Sequence, residues 1–265
     1  MPEYFFRNKG KTLLDLADKV RLAGKLFLFL DYDGTIVPIR KTPHHAILLP
    51  RTKKLLRTLS SQPRVVVGIV SGRSLADLRR MVGLKGLILA ANHGFEIQSS
   101  RTWIHPYART VRPLLESLAI VLQEGVRKIP GALVQDKGST ITVHYRNVSR
   151  RNVRDVMELV SVCARPLSDT IQMTQGKKVI ELRPNVPWNK GYAVRQILRD
   201  SASSRNRMIL YCGDDRTDED AFRLLPRTAV TICVGTNSRS LARFSVRSVQ
   251  EVHTVLNTVL TALRS

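Results

Sequence analysis

The sequence predicts a doubly wound parallel α/β sheet interrupted by an inserted α+β module, and three observations predict it. Five short apolar runs lack the polar alternation of half-exposed strands, as parallel strands buried on both faces do. Helical patterns separate these runs, the alternation that builds a doubly wound sheet. Between residues 108 and 183 the rhythm changes to helix, hairpin, helix, hairpin.

The first run, Leu26–Leu30, ends in Asp31-Tyr32-Asp33-Gly34-Thr35. Pro50 opens a helix through Ser61. The second run, Val65–Val70, leads into Ser71-Gly72-Arg73, and Ser74 caps a helix over Leu75–Val82 that Gly83 stops. The third, Leu87–Ala91, precedes Asn92-His93-Gly94. The module follows, with a helix near Val111–Lys128 and strands near Leu133–Lys137 and Thr140–Arg146 around a Gly138-Ser139 turn. A second helix near Arg151–Ala164 precedes strands near Thr170–Thr174 and Lys178–Arg183. Thr140, Thr142 and His144 alternate with Ile141, Val143 and Tyr145, which predicts one polar sheet face and one packed face. The fourth run, Met208–Cys212, enters Gly213-Asp214-Asp215, and Thr217 is placed to cap the next helix. After Ala229–Val234, Ser248 and Glu251 form a capping-box pattern before a helix that keeps Val252, Val255, Leu256, Val259, Leu260 and Leu263 on one face. The expected domains are 1–107 with 184–265 as the core, and 108–183 as the insertion.

Composition narrows the function. The 265 residues carry 43 Lys and Arg against 21 Asp and Glu, a net charge of +22. Such a balance suits nucleic acid, an anionic membrane or an anionic substrate. The basic residues are scattered, however, with no basic tail and no stripe interleaved with aromatics. That pattern disfavours nucleic acid as the main ligand. No stretch reaches the ~20 apolar residues of a membrane span. The N-terminus lacks the order of a secretory signal, and three cysteines without metal-type spacing argue against a disulfide framework. The reading is a cytoplasmic, reduced protein, expected to be a monomer.

The chemistry gathers where the runs end. In open α/β sheets ligands bind beyond the carboxyl ends of the strands. Asp31 and Asp33 follow a fully apolar strand, where paired carboxylates are costly unless a cation or strong donors neutralise them. Asp214 and Asp215 repeat the arrangement, followed by Asp218. Oxygen-only ligands from two loops suit Mg²⁺. Ser71 offers a hydroxyl beside a helix N-terminus, a natural anion site, and Lys190 stands before the helix that precedes the acidic strand. His44, His45 and His93 have no spaced partner and read as loop histidines rather than metal ligands.

These residues resemble the haloacid-dehalogenase-type phosphatases, which carry DxDGT, a Ser or Thr after the second strand, a Lys and a late acidic pair. More closely, LDYDGT, VSGR, NHG, VQDKGSTITVHYR, IELRP, NKG and GDDRTDED resemble the trehalose-6-phosphate phosphatase family. The resemblance implies hydrolysis of trehalose 6-phosphate, a small-molecule sugar phosphate, with Mg²⁺ as cofactor. It makes Asp31 the nucleophile and Asp33 the acid and base, with Asp33 protonated in the first step through a raised pKa. The metal is held by the Asp31 carboxylate, the Asp33 carbonyl and Asp214, with Asp215 or Asp218 holding its waters. Gly34, Thr35, Ser71, Gly72, Arg73 and Lys190 surround the phosphate. The module is implied to be a cap that selects the sugar, with Asn92, His93, Gln135, Lys137, Arg146 and Glu181 as its substrate contacts. Gln135 departs from the family's Glu at that position. The competing readings are a phosphatase for sucrose 6-phosphate or a glycosyl-glycerate phosphate, a phosphomutase, and a basic binding protein without catalysis.

Overall fold

The computed structural model of the chain describes residues 1–40, 45–176, 178–201 and 206–265. In chain order the elements are β1 (Glu3–Tyr4), α1 (Lys9–Leu22), β2 (Lys25–Asp31), α2 (Pro50–Ser60), β3 (Val65–Val70), α3 (Leu75–Val82), β4 (Ile88–Ala91), β5 (Glu96–Gln98) and β6 (Thr102–Ile104). There follow α4 (Pro106–Val126), β7 (Leu133–Asp136), β8 (Ile141–His144), α5 (Val153–Ala164), β9 (Ile171–Gly176) and β10 (Val179–Pro184). The chain ends with α6 (Lys190–Asp200), β11 (Arg207–Gly213), α7 (Arg216–Leu224), β12 (Val230–Val234), β13 (Phe244–Val246) and α8 (Val249–Arg264). These elements form two compact units, Met1–Thr102 with Trp188–Ser265, and Trp103–Pro187.

In the first unit the strand order is β1-β13-β12-β11-β2-β3-β4-β5. Every pairing from β1 to β4 is parallel, and β5 closes antiparallel on β4. The apolar runs are therefore the central strands of an α/β sheet. β2 lies between β11 and β3, buried on both faces: Leu26, Leu28 and Leu30 pack with Val20, Leu56 and Leu256, while Phe27 and Phe29 point to the opposite side. Each such side chain contributes ~1.5–3 kcal/mol on burial. Gly68 pairs with Phe29, and a Cβ there would stand 2.8 Å from its ring, so the glycine makes room for the aromatic.

The second unit has its own core. Its sheet runs β7-β8-β10-β9, all antiparallel. Ile141, Val143, Ile180 and Leu182 pack against Leu115, Leu122, Val156 and Val160 of α4 and α5. The opposite face carries polar residues, yet Thr140 and Thr142 on it are buried rather than solvated.

Several local expectations change. α1, β1, β5 and β13 have no counterpart in the sequence reading. α4 begins at Pro106, five residues before Val111, because a proline suits the first helical position, whose N–H lacks a partner. Thr217 does not cap α7: Asp215 is the N-cap, in a reciprocal capping box with Asp218. Ser248 caps α8 as expected, accepting from Glu251 N, but the Glu251 carboxylate takes Arg247 N and the Tyr4 hydroxyl instead of completing a capping box. Ser74 and Gly83 bound α3 as the sequence indicates, with Gly83 left-handed at φ 57°.

Candidate active site

Three adjacent strands bring the acidic residues together. Asp31 ends β2 and pairs with Val70, the last residue of β3, so Ser71 lies one step beyond that strand. On the other side β11 runs parallel to β2 and delivers Asp214 just past Gly213. Asn189 caps α6 through its side chain, which fixes Lys190 at the first turn.

Lys190 Nζ donates to Asp31 Oδ1 at 2.6 Å and to Asp218 Oδ1 at 2.9 Å. All three are buried, with Asp218 wholly so. The Tyr211 hydroxyl donates to the same Asp218 oxygen at 2.7 Å, and the other oxygen accepts from the Asp214 and Asp215 amides at 3.2 and 3.1 Å. Burial pushes the Asp31 carboxyl well above the ordinary range; Lys190 opposes this, and the Asp218 and Asp214 charges add to it. Burial alone would lower the Lys190 pKa, but Asp218 and Asp31 more than offset it and hold the ammonium charged.

Asp31, Asp214 and Asp218 each bring a ligand oxygen within 4.8 Å of the others. Three carboxylates gather around one ammonium, and the donors are all hard oxygens. Gly34, at φ 85°, has no side chain; a Cβ there would collide with the Asp214 carboxylate. The buried Thr35 hydroxyl beside it has no hydrogen-bond partner among the described residues. Charge, donor type and clearance all fit a small divalent cation. Asp215 stands outside this trio: its carboxylate is exposed and caps α7, accepting from Arg216 N at 2.7 Å.

Asp33 faces a different partner. Arg73 Nε and Nη2 each donate to one of its oxygens at 2.6 Å, a bidentate pair. The Arg73 guanidinium also lies 5.4 Å over the Tyr32 ring. Burial pushes the Tyr32 pKa up to about 12, so the ring stays neutral. Ser71 is buried, its Oγ accepting from Arg73 N at 3.2 Å. The loop after β4 is tied to this segment, since Asn92 N donates to Arg73 O and His93 N to Ser71 O. Asn92 and His93 are both left-handed, at φ 49° and 56°, a conformation costing ~1–3 kcal/mol per residue where L side chains adopt it. The Asn92 amide donates to Glu96 at 2.6 Å, and the His93 ring fills the space beside Gly72, 2.6 Å from where a Cβ would be. His45 is exposed, and His44 lies outside the described residues.

In the second unit, strand register aligns Gln135, Thr142, Glu181 and Thr174 in one row across all four strands. Glu181 accepts from Lys137 at 3.2 Å and from Thr142 at 3.4 Å, and Gln135 Oε1 stands 3.1 Å from His144 Nε2. Burial, then the Lys137 charge, lowers the His144 pKa. Arg146 follows β8 in a turn and is exposed.

Sequence reasoning missed Tyr211, Tyr32 and Glu96. For Tyr211 a signal existed: a tyrosine inside an otherwise apolar buried strand needs a partner for its hydroxyl. Glu96 becomes visible only once the strained turn places Asn92 beside it.

The trehalose-phosphatase family profile matches residues 29–254. Trehalose-phosphate phosphatase B of Arabidopsis thaliana is 32% identical over 231 residues, covering 81% of this chain and 60% of that protein. A solved structure of a trehalose-6-phosphate phosphatase related protein superposes with a TM-score of 0.78 at 25% identity, over 89% of this chain and 97% of the other. A haloacid dehalogenase-like hydrolase from Bacteroides thetaiotaomicron shares the fold, with a TM-score of 0.62 at 13% identity over 88% and 99% of the two chains. The chain thus spans about three-fifths of the length of the Arabidopsis relative. On its sheet, its buried acidic centre and the span of the match, the chain belongs to the trehalose-phosphatase family.

Proposed function

We propose that this chain hydrolyses trehalose 6-phosphate to trehalose and phosphate through an aspartyl-phosphate on Asp31. The observation that carries the reading is the buried Asp31, held at 2.6 Å by Lys190 and adjoining Asp214 and Asp218, in a chain of this family. Mg²⁺ would be held by the Asp31 carboxylate, the Asp33 carbonyl and Asp214, and it would offset the charge of nucleophile and phosphate.

A free Asp31 oxygen attacks phosphorus in line as the bond to the sugar oxygen breaks. Lys190 orients the nucleophile and balances charge gathering on the transferring oxygens. Ser71 and Thr35, with Gly34 and Gly72 leaving room, supply the rest of the phosphate's surroundings. Asp33 gives its proton to the leaving oxygen and then takes one from the water that cleaves the acyl phosphate. Asp218 positions Lys190, and Asp215 supports the site through the α7 cap. The segment 108–183 acts as the sugar-selecting cap, and Gln135, Lys137, Arg146, Glu181, Asn92 and His93 are the expected substrate contacts. The protein acts as a cytoplasmic monomer. Among the described residues no helix is long and apolar enough to cross a membrane.

The test is magnesium-dependent phosphate release from trehalose 6-phosphate, beside sucrose 6-phosphate, glucose 6-phosphate and an aryl phosphate. Trehalose 6-phosphate is expected to lead, and Asp31→Asn to abolish turnover; activity near wild type in that variant would refute the nucleophile. One observation favours a second reading, a phosphatase for another sugar phosphate. Gln135 is neutral and paired to His144, so this position offers hydroxyls an amide where the family's Glu would offer a carboxylate. Preference for sucrose 6-phosphate would select that reading.

A further inference from the structure

The bidentate pair between Arg73 and Asp33 assigns Arg73 a role other than the phosphate contact that its place in VSGR suggested. The arginine is the buried partner and the carboxylate the presented one, with side chains 12% and 38% exposed. Two guanidinium nitrogens are committed to Asp33, and the third, Nη1, meets Met81 Sδ at 3.1 Å. The planar group lies over Tyr32, whose own hydroxyl is fixed to Ala46 O at 2.8 Å. The backbone is braced as well: Arg73 N donates to Ser71 Oγ, and Arg73 O accepts from Asn92 N at 2.8 Å. Asn92 is in turn held by Glu96. A side chain fixed on so many sides is a rigid support, and its fork meets a carboxylate in one orientation only.

We propose that Arg73 is the positioning residue of Asp33, aiming its carboxyl at the leaving sugar oxygen and then at the incoming water. The inference rests on Asp33 as acid and base in the reaction above. Each Asp33 oxygen keeps a second lone pair beyond the one that faces Arg73, and it is on this outer side that a proton can be given and taken while the fork holds the carboxyl. In the first step the Asp31–phosphorus bond forms, the phosphorus–sugar oxygen bond breaks, and the Asp33 proton ends on that oxygen. In the second step water loses a proton to Asp33 and its oxygen bonds phosphorus. The bond to Asp31 then breaks, freeing phosphate. Arg73 changes no bond in either step; it sets the direction of both transfers.

Leaving-group chemistry separates this role from phosphate binding. A sugar alkoxide is a poor leaving group and needs the proton, whereas a nitrophenolate leaves without one. Arg73→Met is therefore expected to lower kcat on trehalose 6-phosphate by about 10²-fold, the cost of a misaligned reacting group, with KM little changed. With p-nitrophenyl phosphate the first-turnover burst of nitrophenol should keep its wild-type rate, followed by slow turnover as Asp33 fails to activate water. Arg73→Lys, which keeps the charge without the fork, should recover little. In an Asp33→Asn background Arg73→Met should add almost nothing. A burst slowed as much as sugar phosphate turnover, or KM raised for both substrates, would mean that Arg73 holds phosphate and overturns the proposal; so would full recovery by lysine or additive losses in the double variant. If Arg73→Met does not fold, Arg73→Lys carries the same comparison. Nitrophenol release that survives Asp31→Asn refutes the Asp31 reaction itself, and the role of Arg73 with it.

Discussion

Asp218 accepts four hydrogen bonds, from Lys190, Tyr211 and the amides of Asp214 and Asp215, without reaching solvent. One carboxylate thereby ties α6, β11 and the start of α7 together, and through Lys190 to Asp31. Its charge is tolerated because every lone pair is used and an ammonium lies alongside. Removing half of a buried pair strands the other half, so Asp218→Asn should cost about 3–5 kcal/mol. Tyr211→Phe removes a single bond to a charged group and should cost about 1.5–3 kcal/mol. Urea denaturation of both variants checks the order. A Tyr211→Phe protein less stable than Asp218→Asn would show that the tyrosine hydroxyl, rather than the ammonium–carboxylate pair, organises this corner.

At the scale of elements, α2 and α8 share a buried polar contact, Thr52 Oγ1 to His253 Nε2 at 3.0 Å. Burial, helped by Arg51, lowers the His253 pKa below its ordinary value of 6.5. The unfolded chain then binds the proton more readily than the folded one. This contribution to stability is complete above about pH 6.5 and is lost as pH falls toward the depressed folded value. His253→Gln keeps a hydrogen-bonding amide but does not titrate. Its Tm should fall less steeply than that of wild type over this window, and parallel Tm–pH curves would exclude the histidine as the cause. The same scale shows what the sequence could reveal. β2, β3, β11 and α3 were legible because uninterrupted apolar runs and a Ser cap leave few alternatives. α1 was not: Leu14 and Leu22 are exposed, which blurs its apolar stripe, and Asn8 makes no side-chain cap bond. Two-residue β1 and three-residue β13 are strands only because neighbours pair with them. At the site, Asp31, Asp214 and Ser71 were readable from their places at strand ends, and Lys190 from its place at the start of the helix before the acidic strand. The division of labour between Asp215 and Asp218 was not, since Asp215 and Thr217 are both good cap residues and only the backbone decides between them. Nor was the Asp33–Arg73 pair, which links residues 40 positions apart.

For the whole molecule, the charge of +22 is shared out rather than concentrated. The segment Trp103–Pro187 holds thirteen Lys and Arg and seven Asp and Glu, so it carries its proportion of the 43 cationic residues. Even spreading is the pattern of a solvated surface rather than a binding stripe. The apolar residues, by contrast, divide sharply. Leu28, Leu56 and Leu256 belong to one buried cluster, and Leu115, Ile141, Val156 and Leu182 to another formed entirely within Trp103–Pro187. A segment with two helices, a four-stranded sheet and a core of its own has what an independent domain needs. We therefore expect the isolated fragment 103–187 to fold cooperatively, with the circular dichroism of mixed helix and strand and a single urea transition. Leu115, fully buried in α4, tests whether that core holds it together: Leu115→Ala should remove about 2–5 kcal/mol from the fragment. The same substitution in the full chain should destabilise the segment while leaving the cluster around Leu28 intact, and two urea transitions would then separate. A disordered fragment, or a full-length variant that still unfolds in one step, would mean that the inserted segment draws its stability from the rest of the chain.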